Sequence, residues 1–370
     1  MSNLRRVCLA VLLCLSALAW AQQTPAPAAL QSQPASPPAP QDPVLSVRPA
    51  PAPRNGEGRV KLDVVVTDKS GRPVSGLELK DFTLLDNKAP VKILSFHPAA
   101  ATAQAPDPPV EVILLIDAIN LPFEQVAVVR QSIVKFLLRN GGHLAQPVSL
   151  IQVTDLGVNI QHTPSLDGNA LAAQVNQLES GLRTSGRSSE YGGVERHQLS
   201  INRLITAVNN ETEKPGRKLL IWADSGWPTL DSSYMQLSPG EQRGEFDLIV
   251  DLSTWLREAR IALYSISTGE PGTDAFFYEP YLKGVKSPAK AGPPNLGLKV
   301  LAIQSGGRVL GPDNDLAAQI EDCVRDAGAY YTISFDPARA DKPNEYHDLK
   351  VQIATPGLKA RTNTGYYNQP

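Results

Sequence analysis

Cysteine is scarce in this chain of 370 residues, which has only three. Cys8 and Cys14 fall in an apolar stretch close to the N-terminus, and Cys323 stands alone far downstream. A single thiol left after leader removal cannot form an internal disulfide, so cohesion in an oxidising compartment has to come from packing. Charge of one sign is also missing. Lys and Arg total 35 against 37 Asp and Glu, a formal net charge of -2 with a sequence pI of about 6.2. Such a balance gives no long-range field to gather nucleic acid, and nucleic-acid binding is disfavoured. No apolar run reaches the roughly 20 residues of a membrane-spanning helix. The five histidines, His97, His143, His162, His197 and His347, are scattered. None forms an H-E-x-x-H pair or has a cysteine partner for zinc, and surface or loop positions are the default expectation. There is no G-x-S-x-G, and Ser225 in "ADSGW" lacks the glycine two residues before it, so nothing marks a catalytic nucleophile.

Hydrophobic residues make up 42% of the chain, enough for a sizeable core and, at this length, about two domains plus extra segments. Arg5 and Arg6, the run "VCLAVLLCLSALA" and Ala19-Trp20-Ala21 together read as a signal peptide over residues 1–21. Its removal leaves an exported protein, periplasmic or extracellular, with no stable membrane insertion. Residues 22–57 form a Pro/Ala-rich linker holding ten of the 32 prolines and almost no bulky apolar residue. Burial there cannot offset the ordering entropy, and an extended, disordered tether is expected.

Beyond the linker the period becomes two. Val60, Leu62, Val64 and Val66 alternate ahead of the turn cluster "DKSGRP", and Phe82, Leu84 and "VKILSF" flank a second turn, "DNKAP". Some forty residues of strand are too few for a stable sandwich. Alternation returns at the far end in "YYTISF" and "LKVQIA". Residues 58–98 and 328–368 are therefore expected to complete one small, discontinuous, Ig-like β-sandwich.

Between them, residues 109–327 interleave short apolar runs ("VEVILLID", "VSLIQVTD", "KLLIWAD", "IALYSIST") with helical patterns. Val126, Val129, Ile133 and Phe136 share one helix face from Pro122 to "NGG", and Ile249, Leu252 and Leu256 share another. The expected fold is α/β, a mainly parallel sheet with helices on both faces. The short turn in "VSLIQVTDLGVNIQHT" adds an antiparallel edge strand. In such sheets ligands bind at the carboxyl ends of the strands.

Two aspartates occupy that position, Asp117 after "VILLI" and Asp224 after "KLLIWA". With "VVVTDKSGRPVSGLELKDFTLLDNKAPVKILSF" before them and "YYTISFDP" and "LKVQIATPGLKARTNTGYY" after, the chain resembles a von Willebrand factor A-type domain. More closely, it resembles the von Willebrand factor A-related family of secreted bacterial proteins. The resemblance covers most of the chain after the linker and implies a Rossmann-like A-type domain that binds proteins.

It also implies a metal-ion-dependent adhesion site, Asp-x-Ser-x-Ser at the end of the first strand, where one carboxylate and two hydroxyls offer hard oxygens to Mg²⁺. Here those positions read Asp117, Ile119 and Leu121. Losing two oxygens from a site that needs about six should cut metal affinity steeply, so the site is degenerate and at most weak Mg²⁺ binding is expected. Asn120 could offer a carbonyl oxygen. Asp224 matches the second family aspartate, with Ser225 intervening before Gly226, and the family's loop threonine has no clear counterpart. Without a metal, Asp117 reads as a helix-start residue accepting backbone N–H groups, with Pro122 in the first turn.

Asp315 in "GPDNDLAAQIED" reads as a plain helix N-cap, since the stretch lacks the EF-hand glycine and ligand spacing. The polar segment 183–198, "RTSGRSSEYGGVERHQ", reads equally as a contact loop or a solvated insertion, and the aromatic-rich connection with Phe276, Phe277, Tyr278 and Tyr281 reads equally as a set of interface anchors or as a cover folded back on the sheet. These features favour a non-enzymatic, exported interaction protein with an unknown protein partner and no tight metal. Its binding residues are Asp117, Asn120, Asp224 and Ser225. One alternative is a Mg²⁺-dependent adhesion module using Asp117, Asn120 and Asp224. Another, of a different class, is a secreted hydrolase or carbohydrate-binding protein using the long loops.

Overall fold

In a computed structural model, residues 59–99, 107–178, 190–225, 227, 237–268 and 278–370 are described. The expected signal peptide and linker, residues 183–189 of the polar segment, Gly226, Phe276 and Phe277 lie outside them.

Near-continuous apolar runs become the buried strands β5 (Glu111–Asp117), β6 (His143–Val153), β9 (Lys218–Asp224) and β10 (Ile261–Ser267), joined by the edge strands β7 (Val158–Ile160) and β11 (Val309–Leu310). Their spatial order is β11-β10-β9-β5-β6-β7, with β8 (Ser165–Asp167) also on β6. All pairings are parallel except those of β7 and β8 with β6. The "DLG" turn therefore makes the expected antiparallel edge, closed by the Thr154 N–H on the Gly157 carbonyl at 2.9 Å.

Side chains alternate across this sheet. Leu114 and Ile116 face one core with α1 (Phe123–Leu137), α2 (Gly168–Gln177) and α6 (Leu316–Val324). Ile113 and Leu115 face the other with α3 (Glu190–Glu211), α4 (Pro239–Glu258) and α5 (Leu298–Gln304). Val126, Val129, Ile133 and Phe136 are all buried, as their spacing predicts, and Asp315 caps α6 by accepting the Ala318 N–H at 3.1 Å.

Both chain ends supply the sandwich. One sheet is ordered β14-β1-β12-β4, from β1 (Val60–Thr67), β4 (Ser95–Pro98), β12 (Tyr331–Phe335) and β14 (Lys359–Arg361). The second is ordered β15-β13-β2-β3, from β2 (Phe82–Asp86), β3 (Ala89–Val91), β13 (Glu345–Ile353) and β15 (Gly365–Asn368). Leu62, Val64, Phe82, Leu84, Ile333 and Val351 fill the shared core.

Sandwich and α/β layers are tied through polar contacts. Arg260 donates bidentately to Asp63 of β1 at 3.0 and 2.6 Å, and to Asp107 at 2.6 Å. Asp326 accepts from the Tyr264 hydroxyl at 2.7 Å and pairs with Arg361 of β14.

Three sequence expectations are corrected. Residues 190–198 belong to α3 and not to a loop, because Gly193, His197, Ser200, Ile201, Leu204 and Val208 fall on one buried helical face. His197 and His347 are buried, the first edge-on to Trp227 with ring centroids 6.1 Å apart, the second bonded to Asp86 at 2.9 Å. Pro122 is the N-cap of α1 and so precedes its first turn.

Candidate functional site

Counting the central strands along the chain, the sheet order is 3-2-1-4-5-6, so the winding reverses between β5 and β9. Open α/β sheets bind ligands at the carboxyl ends of the strands beside such a reversal. Asp117 closes β5 and Asp224 closes β9, which places both candidate carboxylates at this point. Register aligns Leu115 with Trp222, one pleat repeat before each aspartate, so both side chains share the face covered by α3 and α4.

Asp117 is fully buried. Its Oδ1 accepts the backbone N–H of Ile119 at 2.7 Å and of Asn120 at 2.9 Å. Its Oδ2 accepts Asn120 Nδ2 at 2.8 Å and Trp222 Nε1 at 3.0 Å. A carboxylate has about four lone-pair positions, and four donors fill them. Burial pushes the Asp117 carboxyl above the ordinary carboxylate range, and the donors from Asn120, Trp222 and Ile119 pull against that shift.

Asn120 turns towards Asp117 but presents its amide nitrogen, which donates to Asp117 and, at 2.8 Å, to Ser200 Oγ of α3. The opposite orientation would set two acceptors face to face. Ser200 in turn donates to the Arg196 carbonyl at 2.8 Å. Asn120 Oδ1 is buried without a hydrogen-bond partner among the described residues.

Ser225 is exposed and its hydroxyl donates to the Asn120 carbonyl at 3.2 Å, stapling the β9 end to the β5 loop. Asp224 is buried, and its Oδ2 accepts the Ser265 hydroxyl from β10 at 3.0 Å. Its backbone carbonyl accepts the N–H and the hydroxyl of Thr268 at 2.7 and 3.0 Å.

These residues do not fit a Mg²⁺ ion, which needs near-octahedral oxygen donors. Asp117 is saturated by N–H groups, and Ile119 and Leu121, two and four residues further on, are hydrocarbon side chains buried in the two separate apolar cores. Among the described residues no group of three or more His, Cys, Asp or Glu converges on a possible metal.

The structure thus brings Asp117, Asn120 and Ser225 into one bonded cluster and sets Asp224 in a separate one with Ser265 and Thr268. Trp222 and Ser200, which complete the first cluster, escape sequence reasoning. Trp222 does carry a signal, since it lies two residues before Asp224 and so on the same strand face.

Winding order and helices on both faces define a doubly wound, Rossmann-like α/β fold, with an aspartate closing each strand at the reversal. No family model matches the chain, and no curated protein matches it. Among solved structures, it is similar to the human COPII-coat protein Sec24c at 8% identity and a TM-score of 0.34, over 74% of this chain and 46% of that one. This chain therefore spans less than half of that protein's length. It is also similar to the SpRpn10 VWA domain at 12% identity and a TM-score of 0.24, over 58% of this chain and 94% of that one. At these scores neither likeness bears on function.

Proposed function

We propose that this is an exported, non-enzymatic protein-protein interaction module, acting in the periplasm or outside the cell, whose contact edge works without a tightly bound metal. The observation that carries the reading is the closed bonding of Asp117, whose four acceptor positions are taken by N–H donors. A carboxylate so occupied holds the β5 and β9 ends together and has nothing left for a cation or for proton transfer. Contact at this edge then falls to surface side chains. Phe123, first residue after the β5 loop, is 62% exposed, and Leu156, in the turn after β6, is 84% exposed. Both follow the carboxyl ends of parallel strands and so lie at one edge of the sheet. Large apolar side chains in water are suitable anchors for a protein partner. The leader-like residues 1–21 support export.

The test is affinity capture from the exported proteins of the source cell in the presence of EDTA, with the intact protein and a Phe123→Asp/Leu156→Asp double variant as baits. A protein retained only by the unaltered bait, with equal melting temperatures for both, supports the reading. Capture that appears only when Mg²⁺ is restored would favour a metal-dependent adhesion module. Equal capture by both baits would remove the role of this edge.

A further inference from the structure

A cavity of about 520 Å³ opens far from the aspartates, where the connection after β10 meets the edge of the sandwich. Three separate segments bring lysines to its rim: Lys88 from the β2–β3 turn, Lys283 and Lys286 from the connection after β10, and Lys342 from the β12–β13 connection. Two carboxylates, Glu345 and Asp348 of β13, share the lining. In a chain with net charge -2, a lining of four lysines against two carboxylates is a local excess of positive charge. Elsewhere lysines and arginines pair with carboxylates, as in Arg260 with Asp63 or Lys135 with Asp315. Lys88, Lys283, Lys286 and Lys342 form no ion pair among the described residues.

The backbone beside Lys88, Lys283 and Lys286 is tied into the sandwich. Asn87 and Lys88 have φ of 48° and 72°, the left-handed pair of a type I′ hairpin turn. Glycine is the ordinary residue at the second position, and a lysine there is strained. The turn is locked to β13 by the Asn87 N–H on the Asp348 carbonyl at 2.8 Å and by the Asp348 N–H on Asn87 Oδ1 at 3.0 Å. On the opposite wall, Gly284 lies so close to the Tyr346 ring that a Cβ there would sit 2.1 Å from it. Val285 is buried between Lys283 and Lys286, and its carbonyl accepts the Tyr367 hydroxyl at 3.0 Å. Lys88 thus sits in a strained turn fixed against β13, and Lys283 and Lys286 flank residues packed against the Tyr346 ring and the Tyr367 hydroxyl. Strained positions of this kind concentrate at ligand sites.

We infer that this cavity binds a small phosphorylated, hydroxyl-bearing molecule, the phosphate held by the Lys88, Lys283, Lys286 and Lys342 ammonium groups and the hydroxyls donating to Glu345 and Asp348. Lysine acts as a compact point charge suited to multiply charged phosphate, and several such charges favour it over a single carboxylate. The volume lies in the range of small-molecule sites. The same chemistry is available from a free sugar phosphate or from a phosphate headgroup at a lipid surface. This site is independent of the interaction edge proposed above.

The experiment is calorimetric titration of the full chain with glucose 1,6-bisphosphate and with glucose, and co-sedimentation with phosphatidylcholine vesicles containing phosphatidic acid. Beside it stand a Lys283→Ala/Lys286→Ala variant and Lys88→Gly, which relieves the turn strain and should not melt below the unaltered protein. Binding of the bisphosphate or of the vesicles, weakened by added salt and about tenfold for each lysine removed, is the expected result. The arm that binds identifies the source. Failure of both ligands to bind, equal binding of glucose alone, or binding unchanged in both variants would overturn the inference.

Discussion

Asp117→Asn separates a carboxylate that ligates a metal from one that holds two strand ends together. The substitution preserves shape but replaces one oxygen by an NH₂ group. Oδ1 can keep the Ile119 and Asn120 backbone donors, whereas the new amide faces Asn120 Nδ2 and Trp222 Nε1, two donors at 2.8 and 3.0 Å from the present Oδ2. Two buried donors lose their acceptor, at about 1–3 kcal/mol each. The expected cost is about 4 kcal/mol, which for a protein of this size lowers the melting temperature by roughly 6 °C. Thermal and urea unfolding of the chelator-treated protein, followed by near-ultraviolet circular dichroism, measure it. Trp222→Phe, which removes only one donor, should cost less. A variant that melts within about 1 °C of the parent would refute the reasoning, above all if Mg²⁺ raised the melting temperature of the parent alone.

Arg260→Ala should destabilise by about 3 kcal/mol, because it leaves Asp63 and Asp107 half-desolvated without their partner; urea midpoints would show it, and an unchanged midpoint would mean that the latch is idle. Gly307→Ala should cost about 3 kcal/mol by overpacking, since its Cβ would lie 1.8 Å from the Leu263 carbonyl oxygen; a soluble variant with parental stability would contradict that approach. Burial pulls the Lys218 ammonium down to about 8 from 10.5, although Glu211 and Glu111 push it up. Between those values the unfolded chain keeps a proton that the folded chain has released, so this group makes stability rise as pH climbs from about 8 to 10.5. Lys218→Met should remove that contribution, read as the difference in urea midpoint between parent and variant across the window. Cys323 is buried with its thiol pushed up by burial, and should resist alkylation until the protein is unfolded.

The fold was legible where one element carries its own signal. β5, β9 and β10 are buried at every position, and continuous apolar runs announce that directly. The sandwich was legible because alternation at one end of the chain lacked strands that the other end supplies. What stayed hidden depends on distant partners. The orientation of Asn120 is set by Ser200, eighty positions away, and the saturation of Asp117 depends on Trp222. The start of α3 was obscured because Gly192, Gly193 and polar neighbours look like a loop until the sheet that buries them is present. The lysine cavity draws on three segments, none of which has a motif.

Strand β1 pairs with β12 and β14, setting Val60 against Phe335 and Val66 against Ala360. A ribosome makes the first of these strands long before the last two, and the loop to be closed between them is almost the whole folded chain. During synthesis, then, β1 and β2 are unsatisfied edges, open to proteases and to wrong strand partners, while the α/β layer assembles from contacts closer in sequence. The strands from Tyr331 onward act as a clasp: until they arrive, β1 has no partner strand and β2 only β3, and once they do, neither set of strands can fray without the other.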